Sequence, residues 1–274
     1  MGETLAIYDS DRRPSPMVEE FIQAVRYRDL IRQLVRRDVL TRYKRSVLGV
    51  AWTMLTPLGM MLVLTIVFSN LFQTTRAYPV YLLSGIIAWT FLSQTTTSAM
   101  SQLTWGGILL HRIYLPRTTF AIASVGTGLV NLLLSLVPFG LVMAITGNPL
   151  RPAAVLLPVS ILLLALFALG LGLLVSSLAA YFPDIAEMYQ ILLLGWMYLT
   201  PIIYPESIIP AAQRWWILGL NPMYHLLQMF RLPLYEGHWP SLERLALAAA
   251  IAVVMFVIGW IVFTNRADEF AYRV

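Results

Sequence analysis

Thr90, Gln94, Thr97, Ser98 and Ser101 recur at a spacing that places them within about 100° of arc on one helix. Neutral hydroxyls and amides on such a stripe have two uses inside an apolar layer. They bond neighbouring helices, or they line a polar path suited to a neutral, hydrogen-bonding cargo such as a sugar. Tyr189 and Trp196 stand seven residues apart on one face of a later stretch and add ring surfaces that would suit the same path. A second group is basic. Arg32, Arg36, Arg37, Arg42 and Arg45 precede the first long apolar run. Leu30, Ile31, Leu34 and Val35 share one helical face there. Val39, Leu40, Tyr43 and Val47 form a second stripe, rotated from the first. The pattern predicts two short amphipathic pieces with a change of phase near Asp38. Such a segment lies on a membrane leaflet, attracts anionic head groups, or docks a partner.

Other chemistry is excluded by what is missing. Lys44 is the only lysine, and it sits in Arg-Tyr-Lys-Arg with no glycine-rich loop before it. A phosphate-binding P-loop needs lysine after glycine, so ATP-driven work must come from another chain. Cysteine is absent, and His111, His225 and His238 have no metal-ligand spacing. No nucleophile–base pair or carboxylate pair stands out. Gly126-Thr-Gly128 and Gly170-Leu-Gly172 lie inside apolar runs and read as close helix packing.

The elements that must carry these residues follow from charge. The chain of 274 residues is 58% hydrophobic and 12% charged, about half the charge of a soluble domain. Residues 46–75, 77–110, 118–150 and 152–183 contain no Asp, Glu, Lys or Arg; 188–205 and 245–265 are shorter runs of the same kind. About 20 such residues cross a hydrocarbon layer of about 30 Å. The expectation is an all-α membrane protein with six spans near 47–72, 78–103, 118–146, 153–180, 186–203 and 243–264. No intramembrane carboxylate or cation is available to couple an ion gradient, which disfavours a secondary carrier. With the N-terminus inside, 14 of the 19 basic residues fall in cytoplasmic segments, which sets the orientation. The stretch 204–241 is apolar but interrupted by Pro205, Pro210, Pro222, Pro233 and Pro240. It predicts a re-entrant helical hairpin dipping in from the outer face. Residues 1–25 read as a mobile cytoplasmic extension without the apolar core of a signal peptide, 26–45 as an amphipathic interface helix, 46–264 as the spanning domain, and 265–274 as a cytoplasmic tail.

The run RDVLTRYKRSVLGVAWTMLTPLGMMLVLTIVFSNLF (37–72) closely resembles the start of the ABC-2 type permeases that export O-antigen, capsule, teichoic acid and related glycans. The likeness continues through YPVYLLSGIIAWTF (78–91), RIYLPR (112–117), YFPDI (181–185), TPIIYPESIIP (200–210), LNPMYHLLQMFR (220–231) and NRADEFAYRV (265–274). The resemblance implies a homodimeric channel in the bacterial inner membrane. It also implies two copies of a separate ABC ATPase, which bind the ATP and magnesium; the permease itself needs no cofactor. The cargo implied is a lipid-linked glycan on a polyprenyl diphosphate; the alternative within the same fold is a drug, lipid or other hydrophobic cargo. The coupling segment would be about 106–117, with Gly106, His111, Arg112, Pro116 and Arg117. The turn 182–187, with Asp184 and Glu187, would meet the ATPase as well. The family usually has Arg immediately before that Asp; here the residue is Pro183.

Overall fold

The computed structural model describes residues 16–44, 48–72, 75, 77–105 and 116–266. Among these, every regular element is helical. Two helices precede the apolar part: α1 (Pro16–Arg26) and α2 (Arg28–Tyr43). The long ones are α3 (Ala51–Phe68), α4 (Tyr78–Trp105) and α5 (Thr118–Ile145). A 3-10 turn (Pro152–Leu156) leads into α6 (Leu157–Tyr181), then α7 (Ile185–Leu199). Short helices α8 (Ala211–Ile217) and α9 (Pro222–Arg231) and a π turn (Leu232–Glu236) precede α10 (Leu242–Thr264). A helix thus occupies each of the six expected runs, with ends at Gly147-Asn148-Pro149 after α5 and Pro183-Asp184 before α7.

Among the described residues, four helices are long and apolar enough to cross a membrane: 51–68, 118–145, 152–181 and 242–264. The chain is therefore a multi-pass membrane protein. Its α4 has 28 residues, about 42 Å of helix, but dilutes its apolar character with the hydroxyl stripe. Its α7 is apolar but has 15 residues.

The core forms around α4, which packs on α3, α5 and α6. Its first half is buried on all sides: Val80, Leu82, Leu83, Ala88 and Leu92 have no exposed surface. Helices α6 and α10 cross at glycines. A Cβ on Gly259 would collide with the Gly170 carbonyl, and one on Gly170 with the backbone of Met255 and Phe256. The expected close packing at 170–172 is therefore observed, with Gly259 as the partner of Gly170 and with Ala99 and Thr96 of α4 facing Gly172.

Two expectations change at the N-terminal end. Residues 16–26 are a seated helix rather than part of a mobile extension. Pro16 opens it, Glu19 lies in its first turn and Arg26 in its last, the arrangement a helix dipole favours. Trp260 of α10 donates to the Met17 carbonyl at 3.3 Å and meets the Phe21 ring edge-on. Thr118 donates to Glu20 at 2.7 Å. In addition, α2 runs unbroken through Asp38; the break lies at Tyr27. Asp38 reads as a phase change in sequence because it is polar on a half-buried face. In the fold its carboxylate accepts from Gln102 of α4 at 3.0 Å and from Arg37 at 2.8 Å, so the helix continues. The first apolar stripe does what its spacing predicts: Leu34 is buried against Phe120 and Ala123, flanked by Leu30, Ile31 and Val35.

Candidate functional site

The hydroxyl stripe of α4 divides between two hollows. Thr90 and Gln94 line a cavity of about 260 Å³ walled by α3, α4 and α5, with Trp52, Thr56, Asn131 and Ser135 on its other sides. Gln94, Thr97, Ser98 and Ser101 line an open groove of about 690 Å³ between α4 and α7. Gln94 borders both and is exposed near the midpoint of α4. An exposed amide at that depth is costly against lipid, so this face needs water, cargo or a second polypeptide. Ser98 also serves helix packing: it pairs with Ser124 of α5 at 3.3 Å and accepts from Gln102 at 3.2 Å. Through Gln102 and Asp38, a polar chain runs from α2 into the groove wall.

Tyr189 and Trp196 do not line that groove. Tyr189 is buried and donates to Thr96 at 2.7 Å. Trp196 is half-buried, edge-on to Trp89 and Phe167, and donates to Asn221 Oδ1 at 2.8 Å. The wall contributed by α7 consists of Gln190, Leu193, Leu194 and Met197.

Arg32, Arg36 and Arg37 are exposed on α2, as a surface-seeking basic face requires. Arg32 pairs with Asp29 at 3.2 Å and Arg37 with Asp38 at 2.8 Å. Arg42 falls in the last turn of α2; Arg45 lies outside the described residues. So do Gly106, His111 and Arg112, and with them most of the expected coupling segment. Of that segment, Pro116 is buried and Arg117 half-buried at the start of α5. Asp184 and Glu187 are exposed at the start of α7, at the N-terminal pole of its dipole.

Sequence reasoning missed Arg231, which enters the charge count only as one of the basic residues outside the cytoplasmic segments. Asn221 caps α9, accepting from the Met223 and Tyr224 amides at 3.1 and 3.3 Å, with Pro222 in the first turn. That capped helix delivers Arg231 into the interior, where 1% of it is exposed. Its guanidinium donates to the carbonyls of Pro201 (2.5 Å), Ile202 (3.1 Å) and Tyr81 (3.4 Å) and to Ser84 Oγ (3.3 Å). It also stacks 3.8 Å from the Tyr81 ring centre. From the other side, the Tyr81 hydroxyl donates to the Pro201 and Tyr204 carbonyls and Tyr78 to the Ile203 carbonyl. Three separated sequence blocks, 78–84, 200–205 and 221–231, thus close one polar knot. A Cβ at Gly85 would meet Arg231 Nη2 at 2.5 Å, so the small residue leaves room for the charge.

This chain matches known proteins over most of its length. The sequence pattern of the ABC-2 type transporter family fits residues 29–235. The O-antigen export system permease protein RfbA of Myxococcus xanthus is 32% identical over 93% of this chain and 98% of its own length. The polysialic acid transport protein KpsM of Escherichia coli is 24% identical over 87% of this chain and 93% of its own. The capsule polysaccharide export inner-membrane protein CtrC of Neisseria meningitidis is 26% identical over 77% and 83%.

Proposed function

The chain belongs to the ABC-2 type transporter family, and on that premise we propose that it is the permease of an ATP-driven exporter of a lipid-linked, O-antigen-like polysaccharide. The family forms the transmembrane part of ABC transporters and is not itself catalytic. Its relatives are permease subunits for O-antigen and capsule-type polysaccharides. The observation that carries the reading is this near full-length likeness to polysaccharide exporters.

In this proposal the spanning domain is 46–264, with six crossings and an outer re-entrant segment at 204–241. Both termini are cytoplasmic, in the inner membrane. Two copies enclose the path, and two ATPase subunits supply ATP, magnesium and force. The exposed Gln94 amide and the half-buried hydroxyls of α4 support placing that path along the α4–α7 groove. Gln94, Thr97 and Ser101 exchange hydrogen bonds with sugar hydroxyls while carrying no charge to trap them. The ATPases push on 106–117 and on Asp184 and Glu187. The exposed arginines of α2, with Arg42 and Arg45, attract the diphosphate of the lipid carrier at the cytoplasmic leaflet.

The test is surface glycan in a deletion strain that carries the chain back. The wild type restores surface glycan, whereas Arg42→Gln with Arg45→Gln lowers it by about tenfold and still co-purifies with the ATPase. Unchanged surface glycan after deletion overturns the export reading. Wild-type export by the double variant removes the head-group role.

A further inference from the structure

Beyond the α4 groove, a second polar concave surface lies beside the Arg231 knot. Two cavities share Tyr224, Gln228 and Arg244 and form one cleft along α9. One, of about 380 Å³, also has Glu206, Tyr235 and Glu236 on its walls. The other, of about 420 Å³, adds His225 of α9 and Ser241 and Glu243 at the start of α10. Each has the size of a small-ligand site.

The cleft is held in shape from within. Glu206 accepts from the Tyr224 hydroxyl at 3.0 Å and from the Gln228 amide, tying the 200–210 segment to α9. Burial and the Glu206 charge push the Tyr224 hydroxyl well above its ordinary range, so it remains a donor. Arg231, at the floor, spends its donors on carbonyls of the knot. The walls carry two tyrosine rings, the Gln228 amide, the Arg244 guanidinium and three carboxylates; of these groups, Glu236, Glu243 and Arg244 are exposed. Carboxylate and amide oxygens accept from vicinal hydroxyls, guanidinium donates to them, and tyrosine faces cover the apolar side of a pyranose.

Charge narrows the class. Glu206, Glu236 and Glu243 outnumber Arg244 and the inward-turned Arg231, so the cleft repels anions. Glu236 is held above the usual carboxylate range by lost hydration and by the Glu206 charge. Among the described residues no three acidic or imidazole groups converge as metal ligands.

We infer that this cleft holds a short stretch of saccharide and selects neutral or amino sugars over acidic ones. The inference rests on the export reading for its biological role, and it adds to that reading the chemical class of the glycan and a holding site at the outer mouth.

The experiment is saturation-transfer NMR on the full chain in lipid nanodiscs. Its three probes are a neutral glucan heptasaccharide, a chitosan hexamer and an oligogalacturonate hexamer. Transfer to the neutral and amino probes should exceed that to the acidic probe by about tenfold. Glu236→Gln with Glu243→Gln, both at exposed positions, should raise the acidic signal to about that of the neutral one. Gln228→Ala should lower the neutral signal by about threefold or more, while Gln213→Ala on exposed α8 leaves all three unchanged. Equal transfer to all probes, transfer to none, or a pattern that neither cleft variant alters would overturn the inference. Surface glycan separates it from the reading it rests on. Export without saccharide transfer refutes the cleft alone; transfer by a chain whose deletion leaves surface glycan intact refutes the export role alone.

Discussion

Arg231 shows how much one side chain can organise. A guanidinium in a membrane protein's interior is expensive unless its donors are met. Here the carbonyls of Pro201 and Ile202, in a turn where Pro201 and Pro205 interrupt helix bonding, supply acceptors. Cation and broken turn solve each other's problem. Lysine cannot replace it, because one ammonium lacks the planar fork that reaches Pro201, Ile202 and Tyr81 together. Arg231→Lys should destabilise the detergent-solubilised chain by about 2 kcal/mol, and Arg231→Gln by more, because carbonyls lose their donors. Arg214→Gln, which gives up one bond to the Ile209 carbonyl, should change little. The measurement is thermal unfolding, and equal melting of all three variants would refute the knot's structural role. This site was not legible in the sequence. Charge counting treats Arg231 as a topology signal, and only the fold brings its acceptors from residues 30 and 150 positions away. The capping pair Asn221-Pro222 was the one local sign of how α9 begins.

Elements were far more legible. The absence of charge over long runs dictates helices, and Pro and Gly punctuation dictates their ends, so α3 to α7 and α10 lie where hydropathy places them. Side-chain direction within them was harder. Tyr189 and Trp196 share a face, as expected, but that face turns toward Thr96, Trp89 and Asn221. Spacing fixes which residues go together; it does not say which neighbour they meet. Small residues were more informative. The α6–α10 crossing depends on Gly170 and Gly259, where backbone meets backbone. Gly259→Ala should force the helices apart and lower thermal stability by several degrees, as overpacking costs about 1–3 kcal/mol. Gly195→Ala on α7 makes a matched comparison, because a Cβ there meets nothing within 4 Å. It should be neutral or stabilising by about 0.5–1 kcal/mol. If Gly259→Ala melts with Gly195→Ala, the crossing is looser than described.

At the scale of the whole molecule, the chain divides its work by charge. Cations gather on α2 before the first apolar helix, where Arg32, Arg36 and Arg37 are exposed. A neutral, hydrogen-bonding face runs along α4. Carboxylates and aromatic rings collect around α8, α9 and the start of α10. In the proposed topology an anionic carrier is attracted at the first zone, its neutral sugars pass the second, and the emerging end meets the third. The Asp38–Gln102–Ser98 chain joins the first zone to the second. Nothing in the chain supplies a phosphate-binding loop, and the account therefore assigns energy to a separate subunit. Its most direct test is ATP hydrolysis by this permease reconstituted in lipid with its ATPase, with and without polyprenyl-diphosphate-linked glycan. The account predicts that the lipid-linked glycan stimulates hydrolysis only when both subunits are present. Hydrolysis by this chain alone, or a rate indifferent to the glycan, would contradict it.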